Sequence, residues 1–147
     1  MYDEKAYDKF IERLQTDYPA MFANPYGGVT VGAGWWPIVW SLCRQIQHHI
    51  DWKNEQHEKY GRGEGCPQVT VAQIKEKFGG LRFYYDGGDA KIDGMVRMAE
   101  SWAENACEEC GKPGRRRAGG WVKTLCDEHE AERQERMNAR FKTVDQS

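Results

Sequence analysis

No apolar run in the chain approaches the ~20 residues needed to cross a membrane. A mean hydropathy of −0.85 with 30% charged residues instead fits a chain that faces water. The opening Met1-Tyr2-Asp3-Glu4-Lys5 is acidic and has no secretory apolar core, so the expectation is a cytoplasmic protein without a membrane partner. Also missing are a phosphate loop, a nucleophile elbow, an HExxH pair and a dinucleotide fingerprint. Deaminase zinc chemistry would require an H-x-E partner motif, which is absent. A His-metal nuclease would require a general-base histidine beside its metal, and residues 111–125 contain no histidine. No catalytic residue is therefore assigned, and an enzyme, nuclease-like or otherwise, would have to use a site the sequence does not advertise. Five cysteines are too few and too unevenly spaced for a disulfide scaffold in 147 residues, which fits a reducing compartment.

What the sequence does contain is concentrated in its last quarter. Cys107, Cys110, Cys126 and His129 form C-x2-C, fifteen residues, then C-x2-H. Zinc takes four thiolate or imidazole ligands in a tetrahedron, and two close pairs joined by a short hairpin can supply them. Cys110 leads into the turn Gly111-Lys112-Pro113-Gly114, and the second pair opens a polar helical run from Asp127 to Phe141. A helix N-terminus favours bound thiolate. Knuckle, hairpin and ligand-bearing helix together are similar to a treble-clef site holding a structural Zn2+, about one per chain. Four protein ligands close such a site to catalysis.

Upstream, Tyr7, Phe10, Ile11, Leu14 and Tyr18 fall at helical spacing behind a capping Asp3. A loop follows, with a short strand at Val29–Val31. A second helix starts near Trp36 with Pro37 in its first turn and a stripe of Trp36, Val39, Trp40, Cys43, Ile46 and Ile50. His49, Lys53 and His57 share one of its faces; with no carboxylate or cysteine at metal spacing, that face reads as solvated. Cys43 and Cys66 read as a buried thiol and a loop thiol. A third helix carries Ile92, Met95, Val96, Ala99, Trp102, Ala103 and Ala106 behind a capping Asp89 and leads directly into Cys107.

Residues 69–86, VTVAQIKEKFGGLRFYYD, read as a hairpin turning at Gly79-Gly80. That register sets Phe78 opposite Leu81, Glu76 opposite Phe83 and Ile74 opposite Tyr85. One face is then apolar except for Glu76, which must find a donor there. The other carries Lys75, Lys77, Arg82 and Tyr84, either an anion-binding ribbon or an ordinary solvent face. Thr70-x-x-Gln73 also resembles a capping box, which leaves a short helix at 71–78 as the alternative. Charge is unevenly distributed: residues 1–111 carry 12 basic and 17 acidic side chains, residues 112–147 carry 9 and 6. Arg115, Arg116, Arg117 and Lys123 concentrate the positive charge on the zinc hairpin, as a phosphate or nucleic-acid patch or a solvated loop.

IKEKFGGLRFYYDGGD, then a helix, then CEECGKPG and GWVKTLCDEH, resembles a recurrent family of small phage, prophage and bacterial proteins across about Gly34 to His129. The resemblance implies a phage-associated cytoplasmic protein with structural zinc, and by analogy one that acts against a host process or defence. It carries over no catalytic residue. The expected architecture is α+β: three helices on a small antiparallel sheet over residues 1–106, a treble-clef-like zinc lobe over 107–142 and a frayed tail over 143–147. The expected function is a non-catalytic binder of a host protein or a small phosphorylated ligand, with a nucleic-acid-binding zinc module as the alternative. The oligomeric state is left open.

Overall fold

A computed structural model of the chain describes residues 3–25 and 27–145, with side chains through residue 142. Among these residues the order is α1 (Glu4–Asp17), β1 (Gly28–Thr30), a 3-10 turn (Ala33–Trp35), α2 (Trp36–Tyr60), β2 (Thr70–Lys77), β3 (Gly80–Asp86), α3 (Ala90–Ala103), β4 (Arg115–Arg117), β5 (Lys123–Leu125) and α4 (Asp127–Asp145). The mixed α+β character is as expected. Among the described residues there are four helices, three over residues 1–106 and a fourth in the run after Cys126, which passes the expected end at Phe141 to Asp145. Of the expected frayed tail, residues 143–145 are helical and 146–147 lie outside the described residues.

Local chemistry sets the helix ends. The Asp3 carboxylate accepts from the Lys5 N–H at 3.0 Å to start α1, and Asp89 accepts from the Ile92 N–H at 3.1 Å to start α3. Pro37 fits the first turn of α2, where its missing N–H costs nothing. Gly61, at φ 59°, closes α2 by donating to the Gln56 and His57 carbonyls. The tryptophans join α1 to α2: Phe10 stacks on Trp36 with ring centroids 4.8 Å apart, and Tyr18 meets Trp40 edge-on at 5.3 Å. Each such pair contributes about 1 kcal/mol beyond its buried area. Trp35, Leu14, Met21, Ile46, Ile74 and Leu81 form the fully buried centre.

The three-stranded sheet has the order β1-β2-β3, with β2 in the middle. It is mixed rather than antiparallel, because β1 runs parallel to β2, with Val29 opposite Ile74 and Thr30 opposite Lys75. The short helix considered for 71–78 is not formed: β2 runs through Lys77 and Phe78 belongs to the turn. The turn, however, sits one residue earlier than the glycine pair suggested, at Phe78-Gly79, both at positive φ (53° and 79°). A two-residue hairpin turn of this kind needs positive φ at both central positions, and Phe78 accepts the strained one. The register becomes Lys77 with Gly80, Glu76 with Leu81 and Ile74 with Phe83, and a bulge between Val71 and Gln73 places Tyr85 opposite Val71. The slip preserves which face each residue occupies but expels Phe78, now 69% exposed, from the expected apolar face. It also resolves Glu76, whose carboxylate accepts from the Gly79 N–H at 2.9 Å and so caps the turn.

One further expectation fails because the partner lies far away in sequence. His49 is not on a solvated face but buried, 2.8 Å from the Asp89 carboxylate. Cys66 lies in the loop after α2 as expected, and is buried there at 4% exposure. Trp102, assigned to the core stripe of α3, is 62% exposed. Among the described residues no helix is long and apolar enough to cross a membrane.

Candidate metal centre and the adjoining surface

The segment after α3 folds into a tight knuckle. Gly111 donates to the Cys107 carbonyl at 2.8 Å and Cys107 to the Lys112 carbonyl at 2.8 Å, and Ala106 bridges Pro113. Gly111 is at φ 79°, a conformation that favours glycine. The β4–β5 hairpin returns the chain to Cys126, and α4 begins at the next residue. The donor atoms of Cys107, Cys110, Cys126 and His129 thereby all lie within 4.8 Å of one another. Cys110 Sγ is 3.8 Å from Cys126 Sγ, and His129 Nδ1 is 3.5 Å from Cys107 Sγ and 3.2 Å from Cys126 Sγ. A tetrahedral ion with metal–sulfur bonds of ~2.3 Å and metal–nitrogen bonds of ~2.05 Å has edges of about 3.8 Å (S–S) and about 3.6 Å (S–N). The four residues can therefore hold a metal ion with little movement.

The surroundings suit that task. The His129 backbone N–H donates to Cys126 Sγ at 3.4 Å, and this bond brings the thiol down to about 7. Cys110 is pushed up to about 11, chiefly by burial and against the Lys112 backbone bond, with the neighbouring thiols adding to the rise. Thiolates crowded so closely need a cation. The outer ring nitrogen of His129 lies 3.4 Å from Glu109, the carboxylate–imidazole pairing that orients a ligating histidine.

The centre is locked to the rest of the molecule through backbone contacts. Gly34 donates to the Glu108 carbonyl at 2.7 Å, and the Trp35 indole N–H to the Ala106 carbonyl at 2.8 Å. A Cβ on Gly34 would lie 2.1 Å from the Cys107 carbonyl oxygen, so only glycine fits. On the other side the buried Thr124 hydroxyl donates to the Gly79 carbonyl at 2.6 Å, seating β5 against the turn of the β2–β3 hairpin. Glu108 accepts from the Gly32 N–H at 2.9 Å. Its carboxyl is raised chiefly by burial, despite the Gly32 bond, with the nearby Glu76 adding to the rise.

Lys75, Lys77, Arg82 and Tyr84 do lie on one face, with Lys75 directly opposite Arg82 and Tyr84 one pair further on. Lys77 and Tyr84 are exposed, while Lys75 and Arg82 are half-buried. Among the described residues none of the three cations has an ion-pair partner. The second cationic set is divided. Arg117 is 11% exposed, bonded to the Leu125 carbonyl and to Asp127 at 2.7 Å, and so serves as a brace rather than a free contact. Arg117 lies opposite Lys123 on one side of the ribbon, and Arg116 lies opposite Thr124 on the other. Asp127 is lowered by Arg117 first and by Arg115 to a lesser degree.

Beside these lies a surface that the sequence reading missed. Phe78 and Trp121, 69% and 71% exposed, flank a depression of about 320 Å³ that also involves Lys77. Trp121 then opens onto a groove of about 600 Å³ walled by Lys123, Arg136, Met137 and Arg140. Arg133 shapes it: buried against Glu130, its guanidinium donates to the Gly119 and Trp121 carbonyls and clamps the β4–β5 turn onto α4. The available signal was the i, i+3, i+7 spacing of Arg133, Arg136 and Arg140, one basic stripe on a helix whose other charged side chains, Lys142 apart, are acidic. Compared with family models, curated proteins and solved structures, the chain finds no significant match.

Proposed function

We propose that this chain is a non-catalytic, zinc-stabilised module that binds single-stranded nucleic acid. The resident ion is Zn2+: three thiolates and an imidazole in a closed tetrahedral set are its usual structural ligands, and the knuckle, hairpin and helix act as a treble clef. The observation that carries the binding reading is the pair of exposed rings, Phe78 and Trp121, set between two cationic stretches. Lys77 belongs both to the Lys75–Arg82 sheet face and to the Phe78–Trp121 depression. Trp121 belongs both to that depression and to the Arg136–Arg140 groove. The shared residues join three patches into one track, in which cations follow phosphates and rings stack on bases without sequence preference. The acidic balance of residues 1–111 reaches this track at Glu76, which lines the Phe78–Trp121 depression with its carboxylate bonded to the Gly79 N–H. An extended track suits a strand better than a small phosphorylated ligand, which needs enclosure. In a phage setting the bound strand would be the route by which the protein interferes with its host.

The test is fluorescence anisotropy with a labelled single-stranded oligonucleotide of about 12 nucleotides, within the usual range of site sizes. Binding should weaken linearly in log–log plots against salt. Trp121→Ala should weaken it about 5- to 150-fold, the equivalent of ~1–3 kcal/mol per stacked base. Lys75→Ala with Arg82→Ala, or Arg136→Ala with Arg140→Ala, should flatten the salt slope. Salt-independent binding, or a folded Trp121→Ala variant that binds like the parent, would exclude this reading.

A further inference from the structure

Three other features were candidates for a site: the apolar groove between α2 and α3, the Glu109–His129–Glu132 cluster and the buried cluster around His49. Nothing in the structure identifies what would cover the groove lined by Ile38, Met95, Met98 and Trp102. The Glu109 cluster shares His129 with the centre already described. The cluster around His49 stands apart. His49 comes from the middle of α2, Cys66 from the loop that follows it and Asp89 from the cap of α3, and their donor atoms lie within 4.8 Å of one another. His49 Nε2 is 2.8 Å from Asp89 Oδ2.

We propose that His49, Cys66 and Asp89 form a second divalent-metal site, with three protein ligands and a fourth position for water or another small ligand. Imidazole, thiolate and carboxylate together select a borderline ion such as Zn2+ or Co2+ over Mg2+ or Ca2+. Charge favours the assignment, since one thiolate, one carboxylate and a neutral imidazole balance a divalent cation. The ligands are also held in place before any ion arrives. Asp89 is fixed through its other oxygen, which accepts from the Ile92 N–H. Cys66 is held by Asn54, whose side chain accepts from the Cys66 N–H at 2.7 Å and donates to the Cys66 carbonyl at 3.2 Å. The Gly88 N–H donates to the Pro67 carbonyl at 3.0 Å and draws the Cys66 loop onto the start of α3. His49 and Cys66 are 7% and 4% exposed, whereas the Asp89 side chain is 24% exposed, so the ion's route in and its fourth ligand lie on the carboxylate side. On binding, the Cys66 thiol proton leaves for solvent, and His49 Nε2 gives up to solvent the proton it shares with the Asp89 carboxylate, leaving a neutral imidazole with its proton on Nδ1. Ligand edges of about 3.3–3.7 Å follow from the bond lengths, so the His49–Asp89 edge opens from 2.8 Å by roughly 0.5 Å, exchanging its hydrogen bond for two metal bonds, while the cluster closes by up to roughly 1 Å at its widest.

The experiment is metal stoichiometry of the full chain by elemental analysis after equilibration with Zn2+ and gel filtration, with Co2+ absorption as the second readout. The parent should hold two equivalents. Cys66→Ser should hold one and should lose only the weaker sulfur-to-cobalt band, that of a single thiolate, while the stronger three-thiolate band remains. If Cys66→Ser does not fold, Asp89→Asn replaces it: the amide oxygen still caps α3 at Ile92, yet the second equivalent should again be lost. A parent that saturates at one equivalent overturns the proposal and leaves His49–Asp89 as a hydrogen-bonded pair of the core. Variants that keep both equivalents overturn it equally, because the second ion would then be bound elsewhere.

Discussion

Gly34 tests how the metal centre is held. A methyl group there would sit 2.1 Å from the Cys107 carbonyl oxygen, 2.5 Å from the Gly111 nitrogen and 2.7 Å from the Cys110 nitrogen. All three are backbone atoms of the knuckle, so no side chain can swing aside and the knuckle must move. Its displacement strains the Gly34–Glu108 bond at 2.7 Å and the Trp35–Ala106 bond at 2.8 Å. Two buried hydrogen bonds at about 1 kcal/mol each, with an overpacking cost of ~1–3 kcal/mol, give Gly34→Ala a destabilisation of about 3–5 kcal/mol. That is a large part of a typical domain's stability. Gly34 is not at positive φ, so the cost is steric and not conformational. The control is Gly94→Ala, within α3 and with nothing inside 4 Å of the added methyl, which should stabilise by about 0.5–1 kcal/mol through helix propensity. Urea unfolding of both variants with saturating zinc reads out the difference. A Gly34→Ala variant within ~0.5 kcal/mol of the parent would mean that the knuckle is not seated on the 3-10 turn as described.

Three further outcomes are expected. Chelation should unfold the segment after Ala106, because among the described residues its own buried apolar core is Cys107, Leu125 and Cys126; amide exchange that stays slow around Leu125 in metal-free protein would contradict this. Phe83→Ala should cost about 3–5 kcal/mol, since the ring is 3% exposed, while Phe78→Ala should change stability by less than ~0.5 kcal/mol; equal urea midpoints for the two would contradict the turn at Phe78-Gly79. The Glu108 carboxyl is raised in the folded state, so the native form holds a proton more tightly, and stability falls as pH rises from about 4.5 through the raised value. Glu108→Gln keeps an acceptor for Gly32 and should therefore be the more stable protein at pH 7.5, with a gap that narrows on acidification. A gap that widens as pH falls would refute the assignment.

The features legible in the sequence were those whose partners are close by in the chain. Cys107, Cys110, Cys126 and His129 announce themselves by spacing, and α1, α2 and the Asp89 cap by periodicity and a single polar residue. The errors came from distance and from competing turn chemistry. Gly79-Gly80 offered two placements of one turn; what chose between them was Glu76 reaching the Gly79 N–H and the packing of Gly79 against Val122 and Lys123. His49 looked solvated because its carboxylate is forty residues away. Arg117 looked free because Asp127 lies across a hairpin. The Phe78–Trp121 surface was invisible because it is made where two turns meet, and neither turn alone implies it.

The seating of the knuckle has a consequence for how the chain is made. Gly34 and Trp35 leave the ribosome long before their acceptors at Glu108 and Ala106, and the Gly79 carbonyl waits for Thr124. The knuckle itself waits for Cys126 and His129, which follow it in the chain. Residues 1–106 therefore emerge with one side of the sheet–helix unit uncovered. That side is completed in a late step that needs both the last ligand pair and an available ion. A cell short of that ion during translation would hold finished chains in that half-finished state, open to proteases and chaperones.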